Sequence, residues 1–407
     1  MTISTAIEVS KSVGHIARSV ASDIQKVRRH LHQRPELSEG EYATTEYLSN
    51  LIHEQGLDPK LAGDRRGVWA DLRSCDHAGG PCVAIRGDID ALPIQTELSA
   101  EYASRRPGIM HACGHDAHTA MVWGAMAILN QLSKSNAFIG KRTVRFLFQP
   151  AEEISTGGLH MIEAGALSGV DAAIALHVDP TRPVGSFGHR AGAFTAGCDT
   201  FTLVIKGQSG HGARPHLTGD TVGAAASWIN DVYCRLPRNH DAREAVVVNV
   251  GQITAGSASN VVPGEARLSG TLRTLSVDAA TRSAKLMRQI TRATELKFPV
   301  KADLTFVTHT PPVINDFRVN AVFRHAAELR VGPAKVVAID QPSMGAEDFS
   351  FCTSIVPGAM MRIGVAGDRI GSEPLHTPNF DIDESALEHG AAVMALAALD
   401  LTSGAIA

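Results

Sequence analysis

The 407-residue chain has only six cysteines, Cys75, Cys82, Cys113, Cys198, Cys234 and Cys352, and no CxxC pair among them. A disulfide framework is therefore excluded as the organising device, and the usage is that of a reducing compartment. No apolar run is long enough to span a bilayer, and Met1 to Ser22 is polar without a continuous hydrophobic stretch. A cytoplasmic location with no membrane partner is the expectation. An excess of one charge is missing too: 38 Lys and Arg stand against 42 Asp and Glu, for a net charge of −4. Mixed signs leave no basic face to track a phosphate backbone, so nucleic acid is not an expected partner. Nor is there an internal repeat or a low-complexity segment.

What is present is enough length for two structural units and a substantial apolar interior. Three- and four-residue apolar spacing predicts helices over Ile24–Leu31 and Tyr42–Ile52, separated by Pro35, and a long helix over His115–Leu132. Short apolar runs at Gly67–Leu72, Cys82–Arg86, Val144–Phe148 and Ala172–Leu176 read as strands buried on both faces. Their alternation with helices predicts an α/β layer architecture whose functional loops leave the strand ends. After Gly192 the pattern changes to strand 199–207, helix 218–235, strands 246–253 and 266–274, helix 279–296 and strand 300–306. That is the ferredoxin-like order of a small inserted α+β domain. The chain then returns through Pro311-Pro312 and ends in a helix over Glu384–Leu399. The expected division is 1–193 with 309–407 as one domain and 194–308 as the insert.

Histidine is abundant, with 18 copies, and several cluster beside acidic residues. The segment Met110-His111-Ala112-Cys113-Gly114-His115-Asp116-Ala117-His118 packs ligand-type side chains into one turn before a helix. Cys113 and His115, two apart on a locally extended segment, project to one side, and Gly114 allows a tight turn between them. His111 and His118 read as supporting or structural. In Arg86-Gly87-Asp88-Ile89-Asp90-Ala91-Leu92-Pro93, Asp88 and Asp90 sit at a strand end, where carboxylates bind a hard cation or fix a ligating histidine's tautomer. Gln149-Pro150-Ala151-Glu152-Glu153 follows another strand, and its neighbouring carboxylates can divide the work, one ligating and one taking a proton from a water. His177 follows the strand over Ala172–Leu176, and His376 lies in Pro374-Leu375-His376-Thr377-Pro378.

In order and spacing these segments resemble the M20 metallohydrolases, specifically the auxin-conjugate hydrolase, hippurate hydrolase and aminoacylase subgroup. The resemblance runs from His30-Leu31-His32-Gln33-Arg34-Pro35-Glu36 to His376. It implies a catalytic domain with a mixed central sheet flanked by helices, and an inserted ferredoxin-like lid and dimerisation domain. Cys113, His115, Glu153, His177 and His376 are implied as ligands of two divalent ions, with Cys113 bridging, Glu152 as general base and Asp90 as a supporting carboxylate. Many relatives carry histidine where this chain has Asp88, which leaves open how the ligands are shared. Gly207-Gln208-Ser209-Gly210-His211-Gly212 resembles the lid segment, so His211 is implied to stabilise an oxyanion across a homodimer interface. Asn260 and Arg273 match positions that hold the substrate, and a guanidinium suits a free carboxylate.

The expected activity is therefore hydrolysis of the amide bond of N-acyl-L-amino acids, with a dipeptidase or an N-carbamoyl-amino-acid hydrolase as alternatives on the same machinery. A thiolate with imidazoles favours zinc, and mixed carboxylate and histidine ligation also suits manganese, cobalt or nickel; the resemblance points to manganese or zinc. Two readings from other classes rank lower. A binding protein without turnover is disfavoured because every ligand position is chemically competent. A cysteine-nucleophile amidase using Cys113 and His115 lacks an orienting third group.

Overall fold

The apolar runs pair as an eight-stranded mixed sheet in a computed structural model that describes residues 3–74, 80–134 and 142–403. Cys75 lies outside the described residues. The sheet order is Lys60–Leu61, Val68–Arg73, Thr143–Gln149, Cys82–Asp88, Ala172–Pro183, Gly358–Ala366, Phe187–His189 and Val336–Ala338. The Thr143–Gln149, Cys82–Asp88, Ala172–Pro183 and Gly358–Ala366 strands run parallel to one another, and antiparallel strands join them on both sides. Each of the Cys82–Asp88 residues is buried, as a strand covered on both faces requires.

Register decides where the chemistry emerges. Asp88 pairs with Gln149 and Arg86 with Ala175, so two neighbouring strands end at one level, beside the point where the third passes through His177. One expectation needs correction. His177 lies inside a strand that continues to Pro183, because Gly358–Ala366 pairs alongside it beyond Leu176.

Helices α1 (Ile3–Gln33), α2 (Tyr42–Glu54), α3 (His115–Lys134) and α4 (Gly157–Glu163) belong to this unit, as does the helix Ser385–Leu401. The first begins far earlier than Ile24, because Val13, Ala17, Ile24, Val27 and Leu31 continue one buried stripe. Helix α3 is buried on almost every side from His115 to Asn130. At Gly124 an added Cβ would lie 2.6 Å from Ile24 and 2.8 Å from Ala391, so α1, α3 and the last helix meet where only glycine fits.

The chain divides into two units: Met1–Gly192 with Val313–Gln341 and Asp348–Ala407, and Ala193–Pro312 with Pro342–Glu347. The second unit holds an antiparallel four-stranded sheet in the order Val246–Ala255, Glu265–Thr274, Gly197–Gly207, Val300–Thr310. Numbered within the unit, that is 2-3-1-4, the ferredoxin-like arrangement. Phe201, Leu203 and Ile205 point to its core with Trp228 and Ile290 of the two helices, Thr221–Arg235 and Val277–Lys297. Their strand alternates buried and half-buried positions, which is why a period of two was readable there.

Candidate metal centre

Gly114 makes the turn that the cluster needs. Its φ is +85°, and an added Cβ would sit 2.5 Å from Val178 Cγ2. The Gly114 carbonyl accepts from the Ala117 and His118 amides at 2.9 and 3.0 Å, which starts α3 directly at His115. His115 Nδ1 donates to Asp90, 3.0 Å from both its carbonyl and its Oδ1. In the neutral ring Nε2 then carries the lone pair, and it is buried with no hydrogen-bond partner among the described residues. Asp90 Oδ2 in turn accepts from Ser38 Oγ at 2.8 Å and from the Glu153 amide at 3.0 Å. One carboxylate thus fixes an imidazole's tautomer and the backbone of the acidic loop together.

His177 is prepared the same way. Its Nδ1 donates to the Val178 carbonyl at 2.8 Å, leaving Nε2 3.6 Å from Cys113 Sγ. His376, held at φ +62°, donates its amide to the Ala112 carbonyl at 2.7 Å, which ties it to the Cys113 loop. Its Nε2 is 3.4 Å from Glu153 Oε1, and that buried oxygen makes no hydrogen bond among the described residues. Glu152 Oε2 and Glu153 Oε1 each lie 3.8 Å from His115 Nε2. Three donor sets result: Cys113, His115 and His177; Cys113, Glu153 and His376; His115, Glu152 and Glu153, with the atoms of each set within 4.8 Å of one another. Cys113 belongs to two of them. All five ligand candidates named from the sequence therefore converge, with Glu152 beside them.

These donors fit a pair of divalent cations. A thiol, three imidazoles and carboxylates are the usual nitrogen, sulfur and oxygen donors of such ions, and two of the donor atoms are buried and unsatisfied without one. Burial, reinforced by Glu153 and Glu152, pushes the Cys113 thiol far up. A bare thiolate nucleophile is thereby disfavoured, and a cation would reverse that balance. Burial opposes a charge on His115, yet Asp88 and Cys113 hold its pKa well above the ordinary histidine value.

A fourth cluster, Asp88 with His115 and His118, has the spacing of a metal site but not the free donors. His118 Nδ1 donates to Asp88 Oδ1 at 2.7 Å, and its Nε2 accepts from the Val178 amide at 2.9 Å, so its ring has no lone pair left. Asp88 Oδ2 accepts from Arg86 at 2.7 Å. Burial works against the Asp88 charge, but His115, His118 and Arg86 hold its pKa well below the carboxylate range. Asp88 is thus engaged by His118 and Arg86 and orients its neighbours. His111 is buried with both ring nitrogens unpartnered among the described residues, and burial lowers its pKa to about 4. It is a neutral ring outside the donor sets.

Arg86 bonds to Asp88, to Gln149 Oε1 at 3.0 Å and to Asp348 Oδ1 at 2.6 Å. Asp348 Oδ2 accepts from the Gly158 amide at 2.8 Å. Sequence reasoning does not single out Gln149 or Asp348; the one available signal was a charged Arg86 inside an otherwise apolar run. Ser38 and Glu41 were missed as well. Their partners lie 52 and 110 residues away, beyond any local pattern.

His211, Asn260 and Arg273 lie in the second unit. His211 pairs with Val261 in a two-stranded ribbon, its Nδ1 accepts from the Ala213 amide, and the Gly212 amide donates to Asn260 O at 2.8 Å. His211 and Asn260 are thus neighbours and both exposed. Arg273 stands eight residues along the strand that starts at Glu265, roughly 26 Å from that end at 3.3 Å per residue. There its guanidinium donates to the Met344 carbonyl at 3.0 Å. One copy of the chain does not bring Asn260 and Arg273 together.

An inserted α+β unit and imidazole, thiol and carboxylate donors gathered at parallel strand ends define a two-unit metal-dependent hydrolase. The chain belongs to peptidase family M20/M25/M40, whose pattern matches residues 84–400, and it is an enzyme acting on amide bonds. It is 37% identical over 362 residues to N-acetyl-L-cysteine deacetylase of Bacillus subtilis, covering 89% of this chain and 84% of that one. With IAA-amino acid hydrolase ILR1-like 6 of Arabidopsis thaliana it shares 35% over 383 residues, 92% and 79% of the two chains. Among solved structures, the Bacillus subtilis YXEP protein, described as a dinuclear metal binding peptidase from the M20 family, matches with TM-score 0.82 and 33% identity over 95% and 99% of the chains. No helix among the described residues is long and apolar enough to cross a membrane.

Proposed function

We propose that the protein removes the acyl group from N-acyl-L-amino acids by hydrolysing their amide bond. The observation that carries this is the convergence of Cys113, His115, Glu153, His177 and His376, with Glu152 3.8 Å from His115 Nε2. The relatives add support, since a deacetylase of N-acetylcysteine and a hydrolase of auxin–amino acid conjugates both cleave an amide on an amino acid. Two divalent ions, manganese or zinc, would supply Lewis-acid polarisation of the carbonyl and a lowered pKa for the attacking water.

The rest falls to the side chains. Cys113, His115, Glu153, His177 and His376 would hold the ions, Asp90 fixes His115 through Nδ1, and Glu152 takes the proton of the attacking water and returns it to the departing amine. His211 stabilises the oxyanion, while Asn260 and Arg273 hold the amino acid's carboxylate and so fix the amide against the water. Because Arg273 stands apart from His211 and Asn260 within one chain, a homodimer in which a second copy contributes the latter pair is part of this reading. Residues 1–193 and 309–407 then form the catalytic domain and 194–308 the lid.

Glu152→Gln tests the assignment. It should keep two metal ions per chain while kcat falls by about 10² or more. Near-normal turnover would remove Glu152 from the mechanism. A panel of N-acetyl, N-benzoyl, N-indoleacetyl, N-carbamoyl and dipeptide substrates ranks the activities by kcat/KM, and a clear preference for the last two would replace the deacylase reading.

A further inference from the structure

Glu41 breaks a local rule. It occupies the N-cap of α2, where a side chain ordinarily accepts from its own helix's first amides, yet it makes no such bond. Its carboxylate instead leaves the helix: Oε1 accepts from the Ala151 amide at 2.7 Å, across 110 residues of chain. The group is fully buried, and Oε2 has no partner among the described residues. A residue that departs from its local preference in a buried place is held there by something other than its helix.

Ala151 immediately precedes Glu152-Glu153, and it is strained. Its φ is +52°, a left-handed conformation that alanine rarely adopts. The turn is nevertheless fixed from both sides. The Ala151 carbonyl accepts from the Thr156 and Gly157 amides at 3.2 and 3.1 Å, and its own amide has Glu41. On the other side of the acidic pair, the Glu153 amide is bound by Asp90. The segment carrying Glu41 holds that anchor too: Ser38 Oγ donates to Asp90 Oδ2, and the Ala91 amide donates to the Glu36 carbonyl at 2.8 Å. One stretch, Glu36 to Glu41, thus grips both acidic loops of the site.

We propose that Glu41 is a positioning residue for hydrolysis: by accepting from the Ala151 amide it holds the left-handed turn that aims Glu152 at the attacking water. Glu41 bonds to none of the metal-ligand candidates, and it acts through the peptide plane between Pro150 and Ala151, which leads directly into Glu152. What it must supply is an acceptor atom. A glutamine in its place keeps that acceptor, whereas a methionine of similar size leaves a buried N–H without one. Asp90 still holds Glu153, so the ligand side of the loop is expected to survive either change.

The inference rests on Glu152 as the proton acceptor, and the experiment separates the two. Wild type, Glu41→Gln, Glu41→Met and Glu152→Gln are compared on whichever N-acyl-L-amino acid of the panel the wild type turns over fastest, with kcat, KM, metal content and melting temperature measured for each. Glu41→Met should lose about 10²-fold in kcat, with KM within about twofold and two metal ions retained, the cost of misplacing a reacting group by about 1 Å. Glu41→Gln should restore kcat to within about threefold of wild type. Should Glu41→Met fail to fold, Glu41→Asp, whose carboxylate falls one methylene short of the Ala151 amide, replaces it with the same readouts. The proposal is overturned by kcat within twofold of wild type in Glu41→Met, by an equal loss in Glu41→Gln, or by metal content falling in step with kcat. If Glu152→Gln stays active, it is the base assignment that fails, whatever Glu41 does.

Discussion

Replacing Gly114 by alanine strains the turn between Cys113 and His115 in two separable ways. The backbone term comes from φ +85°, where a Cβ crowds the neighbouring carbonyl at a cost of about 1–2 kcal/mol. The packing term comes from Val178, whose Cγ2 would stand 2.5 Å from the new Cβ. Val178 is β-branched, fully buried and inside a strand, so it has no easy rotamer to retreat to, and overpacking of this kind costs about 1–3 kcal/mol. Gly56 isolates the first term, since it ends α2 in a left-handed turn at φ +75°, with Leu57 N donating to Ile52 O, and nothing lies within 4 Å of an added Cβ. At about 2 °C per kcal/mol for a unit of this size, Gly56→Ala should lower the melting temperature by about 2–4 °C and Gly114→Ala by about 4–10 °C. Gly114→Ala should also weaken metal binding by about tenfold or more, since ligand placement tolerates only about 0.5 Å. Val178→Ala removes the opposing methyls, and the double variant should recover about 1–3 kcal/mol relative to additivity. Equal melting shifts for the two glycine variants, or strict additivity with Val178→Ala, would refute the clash.

Asp90→Asn removes the carboxylate that fixes the His115 tautomer and the Glu153 amide, so metal affinity measured by chelator competition should drop about 10–100-fold while the fold is kept. Arg28 is fully buried between Asp116, Asp381 and Glu384 at 2.9, 2.6 and 3.2 Å, and Arg28→Met leaves those charges without their counterion. Thermal unfolding should show a loss of about 3–5 kcal/mol. Glu41 also gives a pH signature. Burial raises its pKa from 4.5 to about 7, so its protonated form favours the fold; the associated stability is full below pH 4.5 and is lost as pH rises to about 7. Wild type should therefore lose about 3 kcal/mol relative to Glu41→Gln across that window in urea unfolding, with the gap level above it. A gap that stays constant from pH 4.5 to 8 contradicts the buried acid.

Much of the architecture was readable because its signals are local. The inserted unit announces itself through a period of two in Phe201, Leu203 and Ile205 and through helical spacing on either side, and each element falls within a few residues of its predicted span. The central strands were readable as apolar runs, but neither their order nor the parallel register that levels Asp88 with Gln149 is written in any one of them. Helix α1 was underread because its stripe is thin before Ile24 and becomes apolar only against α3 and the last helix.

By itself the sequence determined the chemistry on offer: a thiol and imidazole turn at Cys113-Gly114-His115, paired carboxylates at two strand ends, and single histidines at 177 and 376. Residue type and spacing are properties of the chain, so they survive without coordinates. Which nitrogen of each histidine faces inward, that Asp88 is occupied by Arg86 and His118, and that Glu41 reaches the Ala151 amide were decided only by the tertiary structure. Those facts depend on which distant groups share a buried volume. Burial makes each donor find one particular acceptor, and no pattern within a few residues encodes the partner.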